Sequence, residues 1–299
     1  MSNISTVNKI LVSGGTHGNE LSGVQAVKYW QNNNEELRKH CPSALVDLAL
    51  INEKAIEKRM RYVDEDLNRQ FTFERLAKNG GAEHNALNHE QQLAQSINTT
   101  YGPKHDPKYD LVIDIHNTTS NMGPSVILLS SDNFHIQIAR FIKQSMPEAV
   151  ILVEDQIDYQ AHPYFCTIGK RGVMLELGPQ AHGTLKAALF LQTKQLTEII
   201  LRFIQTWNTK ALEPMPETTG FRLDKEVPYP TRNGLKSAMI HPSIDGEDFN
   251  ALATGSPCFL GFDGNDIHWE EDTTYPHFIG EAAYHHLDIA FATAKKIDI

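Results

Sequence analysis

A histidine and a carboxylate three residues apart, His17 and Glu20, sit in the stretch Ser13-Gly14-Gly15-Thr16-His17-Gly18-Asn19-Glu20. On a helical turn, or on the bend leading into one, that spacing aims both side chains the same way. A neutral imidazole and a carboxylate are suitable ligands for first-row metals. A catalytic zinc takes three protein ligands and keeps one position open, so two ligands call for a third elsewhere. The competing reading is a capped loop with a surface histidine and a helix-start glutamate. His116 is the candidate third ligand, in Asp114-Ile115-His116-Asn117-Thr118-Thr119-Ser120-Asn121. It closes an apolar run, where an α/β active site collects its residues. Asp114 is placed to accept a hydrogen bond from that imidazole, or equally to cap a neighbouring loop as a buried carboxylate.

Glu176 lies inside Val173-Met174-Leu175-Glu176-Leu177, where a carboxylate is costly to bury without a partner or a task. Beside an activated water it would take a proton as the water attacks and pass it to a leaving amine. Its alternative is an edge-strand residue facing solvent. Arg61, Asn68 and Arg69 offer a fixed cation for an oxyanion, and a guanidinium fork plus an amide for a carboxylated substrate. Asp66-Leu67-Asn68-Arg69 also fits a salt-bridge cluster at a helix start. Other histidines carry less. His84 and His89 are five apart and share no helix face well, and the adjacent His285 and His286 would point apart on a strand. Tyr159, Tyr164 and Tyr284 are uninformative one by one.

These residues need elements to hold them. Lys9-Ile10-Leu11-Val12 reads as a buried strand, and Leu21, Val24 and Val27 as the inner stripe of the helix that follows. Between them glycines permit a tight turn. Further strands are read at Leu45 to Asn52, Tyr109 to His116, Pro124 to Ser131, Ala149 to Glu154 and Gly172 to Pro179. Helices are read at Glu83 to Tyr101 (carrying Leu87, Leu93 and Ile97), Phe134 to Met146, and Gly183 to Trp207. The last would bury Leu185, Leu189, Leu196, Ile199, Ile200 and Phe203. Glu53 to Phe71 shows no clean period and reads as a polar loop. Continuously apolar strands alternating with helices predict an α/β fold, a mostly parallel sheet flanked by helices. After a proline-bearing linker, Leu212 to Gly220, short β-like runs and turn signals at Asp245-Gly246 and Asp263-Gly264 predict a smaller β-rich domain. The division is 1–209 and 210–299.

Composition narrows the class. In 299 residues, 40% apolar and 21% charged side chains describe a soluble globular chain, and a net charge of −10 argues against nucleic acid or anionic membrane as partners. No stretch approaches the roughly 20 apolar residues of a membrane span. The start, Met1 to Thr6, lacks the regions of a signal peptide. Cys41, Cys166 and Cys258 are few and scattered, which predicts a reducing, cytoplasmic location.

Taken together, the motifs resemble one family. They are Gly14-Gly15-Thr16-His17-Gly18-Asn19-Glu20, Asp66-Leu67-Asn68-Arg69, Asp114 to Gly123, Glu176-Leu177-Gly178-Pro179-Gln180 and Glu281-Ala282-Ala283-Tyr284. In this order they resemble the aspartoacylase and succinylglutamate desuccinylase branch of the zinc carboxypeptidase-like fold, over nearly the whole chain. The resemblance implies one zinc per chain, held by His17, Glu20 and His116, with Glu176 as general base and acid. It implies that Arg61 polarises the scissile carbonyl and that Asn68 and Arg69 grip a substrate carboxylate. Tyr164 and Tyr284 fall at substrate-contacting tyrosines, and Asn117 is counted with the substrate contacts. One departure stands out. The family has a further substrate-gripping arginine shortly after the Tyr164 position, and here the stretch is Tyr164-Phe165-Cys166-Thr167-Ile168-Gly169-Lys170-Arg171. Lys170 and Arg171 are the candidate substitutes.

The expected function is therefore a zinc amidohydrolase acting on a small N-acyl amino acid, cleaving N-acetyl-L-aspartate to acetate and L-aspartate. The alternatives are a sister deacylase of neutral or aromatic N-acetyl amino acids, favoured by the missing arginine, and a binding protein of the same fold that has lost catalysis. A desuccinylase is disfavoured by the match through the loops. The sequence leaves the oligomeric state open, a homo-oligomer included.

Overall fold

Apolar runs bordered by turn residues form the strands, and their alternation with helices sets the layers. The computed structural model describes residues 6–81 and 86–299. The amino-terminal residues 1–5, the expected helix start at Glu83, and His84 lie outside the described residues. In chain order come β1 (Lys9–Gly14), α1 (Leu21–Asn32), α2 (Asn34–Arg38), β2 (Leu45–Leu50), α3 (Glu53–Lys58), α4 (Phe73–Gly80), α5 (His89–Thr100), β3 (Leu111–Asn117), β4 (Gly123–Leu128), α6 (Asn133–Ser145), β5 (Val150–Val153), β6 (Gly172–Gly178) and α7 (Ala187–Asn208). The carboxy-terminal part supplies β7 (Thr219–Pro228), β8 (Thr231–Arg232), β9 (Leu235–Lys236), β10 (Ala238–Ile240), β11 (Pro257–Gly261), β12 (Asp266–His268) and β13 (Ile289–Asp298).

The main sheet has eight strands in the order β13-β7-β5-β4-β6-β3-β1-β2. Its neighbours are parallel except at β4–β6 and β7–β13. Side chains alternate across a strand, and that alternation divides the core. Leu111, Ile113 and Ile115 of β3 join Val173, Leu175 and Leu177 of β6 under α1, α6 and α7. Val112 and Met174 face the other way, with residues of α4 and α5. Asp114, His116 and Glu176 share the parity of Val112 and Met174, so the site forms on that second face.

Several elements differ from the sequence reading, each for a local reason. The polar segment after β2 contains α3, too short at six residues to show a period. Its ends are set by the Asn52 side chain, which accepts from the Ala55 N–H, and by left-handed Arg59. A further helix, α4, also follows that segment. α5 begins at His89, where Asn88 and Gln91 form a capping box. α7 begins at Ala187, after extended Lys186, so Leu185 is exposed while Leu189, Leu196, Ile199, Ile200 and Phe203 are buried. No helix among the described residues is long and apolar enough to cross a membrane.

The carboxy-terminal region is β-rich, as expected, and it also completes the main sheet. β7 runs parallel to β5, and β13 closes the edge against β7. A separate antiparallel sheet, β10-β11-β12, has its own small core around Phe259, Trp269 and Phe291.

The contact between α1 and the strand ends has no slack. A Cβ at Gly23 would strike the carbonyl oxygen of Ile115. Alanine is the better helix former by about 1 kcal/mol, but this clash is with backbone. Overpacking of that kind costs about 1–3 kcal/mol. Gly23→Ala is therefore expected to lower the urea midpoint with an unchanged m-value, measured by equilibrium unfolding.

Candidate metal centre and substrate pocket

The turn after β1 uses Gly15 at positive φ (74°) to bend into α1. His17 lies on the bend, and Glu20 occupies the position just before α1. Parallel pairing of β1 with β3, in the register Ser13↔Asp114, brings this bend beside the end of β3. The three predicted ligands meet there, all buried. His17 Nδ1 is 2.8 Å from Glu20 Oε1, His116 Nδ1 is 2.9 Å from Glu20 Oε2, and the two Nδ1 atoms are 3.2 Å apart. Among the described residues no other group of three or more His, Cys, Asp or Glu side chains converges in this way.

The far side of each ring explains why these nitrogens turn inward. His17 Nε2 lies 2.9 Å from Asp66 Oδ1, and His116 Nε2 lies 2.7 Å from Asp114 Oδ2. Asp114 is itself held, with Oδ1 accepting from the Ser13 and Thr16 hydroxyls. Both readings of Asp114 hold, since the buried carboxylate meets the His116 imidazole and also binds the Thr16 hydroxyl of the neighbouring turn. When each ring donates an Nε2–H to its aspartate, its Nδ1 lone pair faces Glu20. Three buried lone-pair donors facing one point demand positive charge between them. The protonation energetics agree. Although burial opposes it, the two imidazoles hold the Glu20 carboxyl well below its usual range, and Asp114 and Glu20 hold His116 well above its own. A His₂Glu donor set with carboxylate-oriented rings fits a first-row divalent ion with a position left open.

Glu176 projects from β6, one register step across from His116 (His116↔Glu176). β6 lies between β4 and β3, so Glu176 is not on an edge strand. Burial raises its carboxyl well above the ordinary carboxylate range, the charges of Glu20 and Glu281 add to this, and His116 and Arg61 oppose it. Arg61 donates from Nη1 to Glu20 Oε1 (2.8 Å) and from Nη2 to Asp66 Oδ2 (3.1 Å). Asp66 also caps the short turn Leu67–Arg69 through the Asn68 N–H, so the salt-bridge reading of this motif is part of the site.

All ten sequence-derived residues line one pocket: His17, Glu20, Arg61, Asn68, Arg69, His116, Asn117, Tyr164, Glu176 and Tyr284. Arg69 lies over the Tyr164 ring at 5.3 Å and makes no ion pair among the described residues. Asn68 spends its Oδ1 on the Phe165 N–H (2.7 Å). Asn117 accepts at Oδ1 from the Ser22 N–H and Gln180, while its buried Nδ2 has no partner among the described residues. Burial holds the Tyr284 phenol protonated far above neutrality.

Two carboxylates of the pocket escaped the sequence reading. Glu281 binds the loop after β3 through the hydroxyl and amide of Thr119 and the hydroxyl of Thr118. Its signal was its place in the Glu281-Ala282-Ala283-Tyr284 motif. Glu154, which accepts from the Tyr164 hydroxyl at 3.2 Å, carried none beyond ending an apolar run. The expectation that Lys170 or Arg171 replaces the missing arginine fails. Lys170 pairs with Asp110 at 2.7 Å and Arg171 lies over the Phe134 ring at 4.6 Å. Arg171 has the parity of Val173 and so turns to the opposite face of the sheet. The remaining pocket wall is apolar, with Ile127, Met174 and Phe278. His285 and His286 stack edge to face near the pocket rim motif and form no metal cluster.

The chain is similar to known proteins over nearly its whole length. The profile of the succinylglutamate desuccinylase/aspartoacylase catalytic domain matches residues 6–204, and that of the AstE/AspA barrel-sandwich hybrid domain matches residues 216–296. Aspartoacylase of Mus musculus is 40% identical, over 98% of this chain and 94% of the mouse protein. The N-acyl-aromatic-L-amino acid amidohydrolase (carboxylate-forming) of Xenopus laevis is 36% identical, over 97% of this chain and 95% of its own. The crystal structure of murine aminoacylase 3 superposes with a TM-score of 0.90 at 32% identity, covering 99% of this chain and 97% of that one.

The carboxylate behind His116 is open to direct test. Asp114→Asn is expected to weaken retention of a divalent metal by about 10–100-fold, the usual effect of losing such a partner. The check is metal content after dialysis against graded chelator, with circular dichroism confirming the fold.

Proposed function

The chain belongs to the succinylglutamate desuccinylase/aspartoacylase family, and on that premise we propose that it is a zinc-dependent hydrolase of N-acyl amino acids. The observation that carries this reading is the Glu176 carboxyl opening into the same pocket as the three converged donors and Arg69. Arg69 takes the substrate α-carboxylate as a charge-assisted fork, with the Asn68 and Asn117 amides as further donors. Glu176 removes a proton from the attacking water as its oxygen bonds to the acyl carbon. It then delivers that proton to the nitrogen as the C–N bond breaks, giving a carboxylate and a free amino acid. Arg61 supplies a fixed positive charge beside the developing oxyanion. His17, Glu20 and His116 would hold the zinc, which would supply Lewis-acid polarisation when bound. Residues 210–299 serve as the domain that walls the pocket, through Phe278, Glu281 and Tyr284. With three buried unpaired cysteines, we assign the protein to the cytoplasm.

As substrate we assign N-acetyl-L-aspartate first, in keeping with the 40% identity to mouse aspartoacylase. A second reading, neutral or aromatic N-acetyl amino acids, is favoured by one observation. Lys170 and Arg171 both lie away from the pocket, Arg61 and Arg69 are the cations that line it among the described residues, and its wall is partly apolar.

The test is amine release from N-acetyl-L-aspartate, N-acetyl-L-glutamate, N-acetyl-L-phenylalanine and N-succinyl-L-glutamate, with and without chelator. Chelator-sensitive turnover led by N-acetyl-L-aspartate bears out the first reading, and preference for N-acetyl-L-phenylalanine the second. No turnover by zinc-loaded protein overturns both in favour of a binding protein. Glu176→Gln is expected to lower kcat about 10²–10⁴-fold, the span of positioned acid–base catalysis, with zinc content unchanged. Arg69→Met is expected to raise KM by about ten-fold or more, from the roughly 1.5–3 kcal/mol of a charged hydrogen bond, with a smaller effect on kcat.

A further inference from the structure

Lys104 follows α5 and is 1% exposed. Its ammonium donates to the Phe71 carbonyl (2.7 Å), the His162 carbonyl (2.9 Å) and the Thr167 hydroxyl (2.8 Å). All three N–H groups are used, and the ammonium makes no ion pair among the described residues. A buried charge without a counter-ion is expensive, and burial drops its pKa to about 8. A neutral side chain of the same length would avoid that cost, so what the ammonium holds is the question.

It holds two loops against each other. One runs from Asp66 to Phe71 and carries Asn68 and Arg69. The other runs from His162 to Ile168 and carries Tyr164. The other links between them are the Phe71 N–H to the Pro163 carbonyl (3.1 Å), the Phe165 N–H to Asn68 Oδ1 (2.7 Å), the Phe71–Phe165 ring contact and Arg69 over the Tyr164 ring (5.3 Å). Thr167 Oγ1, which accepts from Lys104, donates in turn to the Tyr164 carbonyl (2.6 Å). Lys104 is anchored on its own side by its N–H to Asn98 Oδ1 of α5 (2.9 Å).

We propose that Lys104 is a positioning residue for substrate recognition, stapling the Asn68–Arg69 loop to the Tyr164 loop from behind so that the carboxylate grip is preformed. The proposal rests on the reading of Arg69 and Asn68 as substrate contacts. Lys104 touches neither the donor cluster nor Glu176, so its loss acts on binding and leaves the chemical step in place. Lost preorganisation weakens binding without removing a contact.

The experiment uses the full zinc-loaded chain with Lys104→Met, which keeps most of the stem, and Lys104→Arg, which keeps the charge and donors. KM and kcat are measured on the best substrate of the panel, and amide hydrogen exchange at Phe71, Phe165 and the β3 residues Val112 and Ile113. Lys104→Met is expected to raise KM about ten-fold, in line with the loss of charged hydrogen bonds, with kcat within about three-fold. Phe71 and Phe165 should exchange faster while the β3 amides stay protected, and Lys104→Arg should recover part of both effects. An unchanged KM, an equal loss in kcat, or faster exchange in β3 as well would overturn the proposal, the last by showing a general loss of stability. If the wild-type chain turns over nothing, the deacylase reading fails. Unaltered exchange at Phe71 and Phe165 would then still overturn the staple, and selective acceleration there would sustain it.

Discussion

Three electron-pair donors pressed together out of reach of water are stable only around positive charge, and much of the rest of the structure serves that arrangement. Two imidazole nitrogens 3.2 Å apart would repel if both presented lone pairs to nothing. They are kept in place because Asp66 and Asp114 grip the opposite nitrogens and because Glu20 closes the third side. Asp114 does this from inside β3, where Ser13 of β1 and Thr16 of the turn after it satisfy its other oxygen. The strand register and the donor set are one constraint seen at two scales.

The sheet then decides what stands near that centre. Alternation along β6 sends Glu176 into the pocket and Arg171 to the opposite face. The opposed direction of β4 beside β6 lets the pocket run down the face of the sheet, past Met174 and Ile127 to Glu154. The carboxy-terminal region covers this trough. Its Glu281 is bonded to the loop that directly follows His116, so the cover and the centre share one hydrogen-bond network.

Charge is distributed unevenly around the trough. Arg61 is neutralised by Glu20 and Asp66, whereas half-buried Arg69 and fully buried Lys104 make no ion pair among the described residues. Buried cations of that kind are tolerated where a ligand or a set of carbonyls completes them. Arg69 lines the pocket, and Lys104 is completed by two carbonyls and a hydroxyl of the loops that frame it.

The sequence by itself marked the candidate site residues. Residue types and spacing marked His17, Glu20, His116 and Glu176, because a histidine and a glutamate on one bend, a histidine at a strand end and a carboxylate in an apolar strand are local signals. The alternation of apolar strands and helices likewise marked the α/β class. Tertiary structure alone decided which face each strand residue took, and that removed Lys170 and Arg171 from the pocket. It brought in Glu154, and it assigned Asp66 to His17 rather than to a helix start alone. It also drew β7 and β13 into the main sheet, although their residues read as a domain apart. These outcomes rest on pairing between segments tens to hundreds of residues apart. Such pairing is set by which surfaces bury against one another and leaves no mark on the spacing within either segment.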